Sequence, residues 1–180
     1  SNTAKHQRNA TAAMNRSGDY VVVWQSENQD DDGEGIFAQR YDASGLPVDS
    51  EFKVNATTHK HQTDPAAAMA DDGSFVVVWH SDGQDGDDFG VYGQRFDGSG
   101  NMEGTEFRVN QTTEGSQCCT AVTGLSDGGF VVAWTNEEQS VFTPLNDYIA
   151  TVIGMVRDSG DPINQDFREI LYGDIQYTGP

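Results

Sequence analysis

The residues with the most chemistry to offer lie in two acidic loops. Residues 27–34 read Glu-Asn-Gln-Asp-Asp-Asp-Gly-Glu, and residues 82–88 read Asp-Gly-Gln-Asp-Gly-Asp-Asp. Offset by 55 residues, the carboxylates coincide at 27/82, 30/85 and 32/87. The candidate metal ligands are therefore Glu27, Asn28, Asp30 and Asp32 in the first loop, and Asp82, Asp85 and Asp87 in the second. Asn28-x-Asp30-x-Asp32-Gly33 sets hard oxygen ligands at alternate positions with a glycine for the sharp turn, which is what Ca²⁺ requires. So many carboxylates in one loop repel each other without a counter-ion. The twelfth position of an EF-hand falls on Gln39, and no flanking helices are expected, which excludes that motif. The competing reading is a solvated acidic loop that keeps sheet edges from aggregating. Ca²⁺ is the one cofactor expected.

Other groups carry weaker signals. His59-Lys60-His61 is the only histidine cluster, and no Cys or carboxylate joins it at zinc spacing. Asn-x-Thr sequons occur at Asn9, Asn55 and Asn110. Cys118 and Cys119 are the only cysteines. Side chains at adjacent strand positions point to opposite faces, so a bridge between them is not expected. No Ser/His/Asp order, P-loop or nucleophile elbow is present. The chain is read as no enzyme.

The elements that position the acidic loops repeat along the chain. Trp24, Trp79 and Trp134 are evenly spaced, and they close YVVVW, FVVVW and FVVAW. Ungapped alignment of 1–55 with 56–110 gives 26 identities in 55 positions, and the spacing is that of a repeat protein. The second copy is clearest: a strand over 62–70, a turn at Asp71-Asp72-Gly73-Ser74, and a continuous apolar strand over 75–79. The acidic loop 81–88 follows, then strands over 90–96 and 106–110. Four short strands per unit with no helical period predict an all-β fold of tandem four-stranded antiparallel blades. The blades are expected to make a β-propeller-like array, either a partial propeller or an open stack. The units are 1–55, 56–110 and a divergent 111–170, with 171–180 a tail or the start of another unit.

Most conspicuous residues become scaffold on this reading. The three tryptophans end apolar strands and are assigned to packing rather than sugar stacking. Ala38 and Gly93 are small where a large side chain would keep neighbouring sheets or a central axis apart. A hairpin centred near Gly45 sets Arg40 opposite Glu51, and the same register sets Arg95 opposite Glu106, a recurring ion pair. The third copy breaks the pattern after Trp134, where its loop lengthens and loses acid. Thr143, Leu145, Asp147 and Tyr148 in that loop are the expected partner contacts.

The net charge of −19 and pI near 4.1 exclude nucleic acid and anionic membrane surfaces as partners. No apolar run is long enough to span a membrane as a helix. The first residues align with the interior of a repeat, so a processed or truncated start is expected.

The segments DDGSFVVVWHSDGQDG, GVYGQRFDGSG and EFRVN resemble tandem repeats of large exported bacterial proteins, which often lie beside calcium-binding and adhesion modules. The resemblance implies an extracellular or cell-surface location and a structural or adhesive role without catalysis. The alternative is a binding subunit docked on a larger assembly through the third repeat. Three and a fraction blades fall short of a ring of ~4–8. A protein partner, self-association through exposed sheet edges or further blades is therefore expected, with carbohydrate admitted as a partner class.

Overall fold

The computed structural model describes residues 6–30, 32–125, 128–137 and 152–158. Among them every regular element is a strand, and all strand pairs are antiparallel. The first sheet runs β1 (Gln7–Met14), β2 (Tyr20–Glu27), β3 (Glu34–Tyr41) and β4 (Phe52–Lys53) in spatial order. The second repeats this meander with β5 (Gln62–Met69), β6 (Phe75–Asp82), β7 (Phe89–Phe96) and β8 (Met102–Arg108). In the third, β10 (Phe130–Glu137) lies between β9 (Ser116–Gly124) and β11 (Val152–Asp158). The expected fourth strand of that copy, and Thr143, Leu145, Asp147 and Tyr148, lie outside the described residues.

The sheets stack face to face. Val21, Val23, Ile36, Ala38 and Val54 of the first sheet pack against Phe75, Val77, Trp79, Tyr92 and Phe96 of the second. The second sheet's other face, with Val76, Val78, Val91 and Val109, meets Phe130, Val132 and Trp134. Strand β6 is buried at every position but its last, which is why its first five residues are continuously apolar rather than alternating. Each fully buried Val or aromatic contributes about 1.5–3 kcal/mol relative to exposure. Gly93 is small because an added Cβ would lie 2.8 Å from Cζ of Phe107 on the neighbouring strand.

The predicted arginine pairs are corrected. Phe52 lies opposite Ala38, so Glu51 falls opposite Gln39, and a one-residue slip turns a side chain to the other face. Arg40 instead pairs with Asp49 at 2.5 Å and donates from Nη1 to the Gly98 carbonyl of the second sheet at 2.8 Å. Arg95 lies opposite Glu103, with its guanidinium 5.0 Å from the Phe130 ring centre. Both arginines thus reach from one copy into the next. Glu51 takes Gln29, while Glu106 accepts from Gln84 at 2.6 Å and from the Ala56 amide at 2.7 Å.

Candidate functional site

The acidic loops are shorter than expected at their entrances, since Glu27 and Asp82 end strands β2 and β6. Asn28 adopts a left-handed φ of 50° and donates its amide to the Gly33 carbonyl at 2.5 Å, closing the first loop. Asp30 and Asp85 turn inward. Their Oδ2 atoms accept from the side-chain amides of Asn55 and Asn110, at 3.3 and 3.0 Å. Gly35 and Gly90 make room for them, because an added Cβ would lie 2.3 and 2.5 Å from those same oxygens. Burial, with the Asp85 charge adding to it, pushes the Tyr92 phenol up to about 12. Asp32 and Asp87 reach outward to the backbone amides of Lys60 and Gly115, at 3.1 and 3.0 Å. The Lys60 amide, ahead of His59, lowers the Asp32 carboxyl below its ordinary range. Asp82 holds the Lys60 ammonium at 2.9 Å.

The seven predicted ligands therefore sit where two loops grip two linkers. Among the described residues no three His, Cys, Asp or Glu side chains form a group that could hold a metal. His59 and His61 turn to different acids, Asp32 at 3.3 Å and Glu34 at 3.8 Å.

At the centre of each grip is a buried asparagine that the sequence presents as a sequon. Asn55 is 0% exposed and Asn110 2%. Oδ1 of each accepts the backbone N–H of Ile36 or Val91 at 2.8 Å. Each Nδ2 faces three acceptors: Asp30, the Thr57 carbonyl and Gln62 for Asn55, and Asp85, the Thr112 carbonyl and Gln117 for Asn110. Neither asparagine can carry a glycan in this fold.

A second cluster was not anticipated. Strand β5 packs beside both β1 and β9, and each of these three first strands carries a bulge at the same repeat position. Arg8 and Thr11 pair with Gln25 and Val23, Thr63 and Ala66 with His80 and Val78, and Cys118 and Ala121 with Thr135 and Ala133. One residue is thus inserted opposite each tryptophan. The leading bulge residues Asn9, Asp64 and Cys119 have φ of 51°, 50° and 58°, unusual for residues other than glycine. All three are exposed. Pro65 fills the second bulge position in β5, where no ladder donor is required.

Hydrogen bonds join the bulges into a row. Asn9 Nδ2 donates to Asp64 Oδ1 at 2.5 Å and to Gln25 Oε1 at 2.9 Å, and Gln25 Oε1 also accepts the Asp64 amide at 3.0 Å. In the second sheet His80 replaces Gln25. It is 5% exposed, and its Nε2 accepts the Thr120 amide at 3.3 Å and also contacts Thr120 Oγ1. Burial holds the imidazole below its ordinary range, with Asp64 opposing. An Nε2 that accepts leaves the proton on Nδ1, which lies 3.7 Å from Asp64 Oδ2. Carboxylate, imidazole and hydroxyl stand in the order of a nucleophilic relay. The first gap exceeds a hydrogen bond and the Nε2 lone pair is shared with a backbone amide, so His80 acts as a neutral brace between sheets.

Repeat alignment could have flagged this row. Asn9, Asp64 and Cys119 are polar or sulfur residues of changing identity at one register position, as are Gln25, His80 and Thr135.

No protein-family model matches the chain, and no curated protein matches it significantly. Solved structures do share its fold. A Hadza microbial sialidase superposes with a TM-score of 0.55 at 12% identity over 84% of this chain. An endo-arabinase from Bacteroides thetaiotaomicron gives 0.52 at 12% over 85%, and an endo-1,4-β-xylanase from the same organism 0.54 at 10% over 95%. The chain spans only 35%, 57% and 60% of those three proteins. The likeness is one of fold.

Proposed function

We propose that this chain is a non-enzymatic module of an exported or cell-surface assembly, a propeller-like stack of sheets that presents its row of bulges to carbohydrate. The observation that carries this reading is the row itself. One strained backbone feature recurs on three adjacent strands and displays a different side chain each time, Asn9, Asp64 and Cys119. A constant scaffold with varied display positions suits recognition. Buried Gln25 and His80 brace the row from behind, the arrangement that preorganises a binding surface. Planar amide and carboxylate groups fixed at a surface suit hydroxyl-rich ligands. The solved proteins of similar fold include a sialidase, an endo-arabinase and an endo-1,4-β-xylanase, which supports carbohydrate as the ligand class.

The test is calorimetric titration with sialyl, arabinan and xylan oligosaccharides. Binding is expected to one of them, lost in Asp64→Ala and kept in Asp71→Ala, with the sugar recovered intact. Absence of binding to all three, or cleavage of any, overturns the reading.

Association belongs to the same proposal. The face of Phe75, Val77, Trp79 and Phe96 that is buried in the second sheet corresponds in the first to Tyr20, Val22, Trp24 and Tyr41, all half-buried. Tyr20 and Tyr41 stack at 4.9 Å as Phe75 and Phe96 do at 4.6 Å. That face suits a further sheet of the same repeat. A calcium proposal also attaches to the loops: Asp30 Oδ1 and Asp85 Oδ1 are buried with no hydrogen-bond partner. Each is a hard oxygen, and Asp32 and Asp87 would have to leave the linkers to complete a Ca²⁺ shell. A melting temperature unchanged by Ca²⁺ and then EGTA refutes this.

A further inference from the structure

The third bulge differs from the other two in placing two thiols side by side. In a regular strand adjacent side chains diverge, which is why no bridge was expected. Here the left-handed φ of 58° at Cys119 turns its side chain back, and the sulfurs of Cys118 and Cys119 lie 3.3 Å apart. Asn9 and Asp64 hold the same backbone conformation in the equivalent bulges without any sulfur, at 51° and 50°. The scaffold therefore makes the turn, and the thiols exploit it. Both sides of the pair are anchored: Cys118 is registered opposite Thr135, and Thr120 is tied to His80 through its amide and hydroxyl. Cys119 is exposed and Cys118 half-buried, so the first has access and the second proximity.

We propose that Cys118 and Cys119 are a reversible dithiol–disulfide pair that exchanges with low-molecular-weight disulfides. The Cys119 thiolate attacks one sulfur of oxidised glutathione, the glutathione S–S bond breaks, and one glutathione thiolate leaves and takes up a proton. The Cys118 thiolate then attacks Cys119 Sγ, forming the intramolecular S–S bond and expelling the second glutathione, which is protonated in turn. Two electrons pass from the protein thiols to the glutathione disulfide, and the two thiol protons end on the two released glutathiones. Adjacent Cα atoms lie about 3.8 Å apart, closer than the usual separation across a disulfide. A bond strained in this way is the readily reduced, switchable kind. Closing it replaces the exposed thiol of the row with a bridged sulfur next to Thr120 in sequence.

The experiment exposes the whole folded chain to oxidised glutathione and follows intact mass and thiol titration. Wild type is expected to lose both thiols together and two hydrogens in mass, with no adduct and no covalent dimer. Cys118→Ser, lacking the resolving thiol, is expected to keep a stable glutathione adduct on Cys119. Ring closure in the folded chain is expected to run about tenfold or more faster than in urea, the gain from holding the reacting atoms together. A persistent adduct or dimer in wild type overturns the proposal, as does an absence of reaction or an equal rate in urea.

Discussion

Replacing Asn110 with alanine tests how the repeats are locked together. Its Oδ1 accepts the Val91 amide at 2.8 Å, and its Nδ2 reaches Gln117 Oε1 at 2.7 Å, the Thr112 carbonyl at 2.8 Å and Asp85 at 3.0 Å. Val91 and Gln117 are 0% exposed, so the groups left behind have no water to turn to. Two buried orphans at about 1–3 kcal/mol each give a loss of about 2–6 kcal/mol. That is a large share of the roughly 5–15 kcal/mol that holds a domain folded. Urea denaturation with linear extrapolation measures it. Asn110→Asp sharpens the test, because it puts a carboxylate oxygen against Asp85, Gln117 Oε1 and a carbonyl. It should be less stable than Asn110→Ala near neutral pH. The introduced acid has a raised folded pKa, so its penalty should fade as the pH drops towards its unfolded value of about 4. A loss below about 1 kcal/mol for Asn110→Ala would mean that these hydrogen bonds do not operate in solution.

Other expectations can be checked in the same assay. Burial lowers the folded His80 pKa below its ordinary 6.5, so the unfolded chain binds the proton first, and the stability present above 6.5 is lost as the pH falls from there through the lower folded value. His80→Gln should flatten that slope while keeping near-neutral stability, since Gln25 fills the same place in the first sheet; an unchanged slope refutes the assignment. Gly90→Ala places a Cβ 2.5 Å from Asp85 Oδ2 and should cost about 1–3 kcal/mol. A double-mutant cycle with Asp85→Ala should remove most of that cost, and strict additivity contradicts the contact. Trp79→Ala should cost about 3–5 kcal/mol, whereas Trp24→Ala, on the half-buried face, should cost less than half as much; equal losses by calorimetry would mean that the first sheet is covered in solution.

The strand order within each copy was legible because apolar runs and Asp/Gly turns alternate at a fixed spacing, and those signals are local. Trp79 at the end of a Val run reads as packing rather than sugar stacking, and it is fully buried, whereas Trp24 in the same setting is half-buried. The bulges were not legible, because an inserted residue changes register without changing composition. The Arg40 pairing failed for the same reason, by a single residue of slip. Asn55 and Asn110 carried a misleading local signal, a glycosylation motif, although their recurrence beside Gln62 and Gln117 pointed to scaffold. Asp30 and Asp85 were recognised as special, but their principal partners lie 25 residues away, beyond any reading of the loops alone.

The asparagine lock also bears on how the chain leaves the ribosome. Asn55 closes the first copy, yet one of its acceptors is Gln62 of the second, and the first loop's Asp32 holds the amide of Lys60. A copy released up to its own last residue therefore still lacks part of its lock. The first two sheets can each be completed only after the opening residues of the next copy have emerged, so their folding on the ribosome should trail synthesis by a short, constant segment. The natural boundary for duplication or truncation accordingly falls inside the following copy, after Gln62 or Gln117, rather than where the sequence repeat ends.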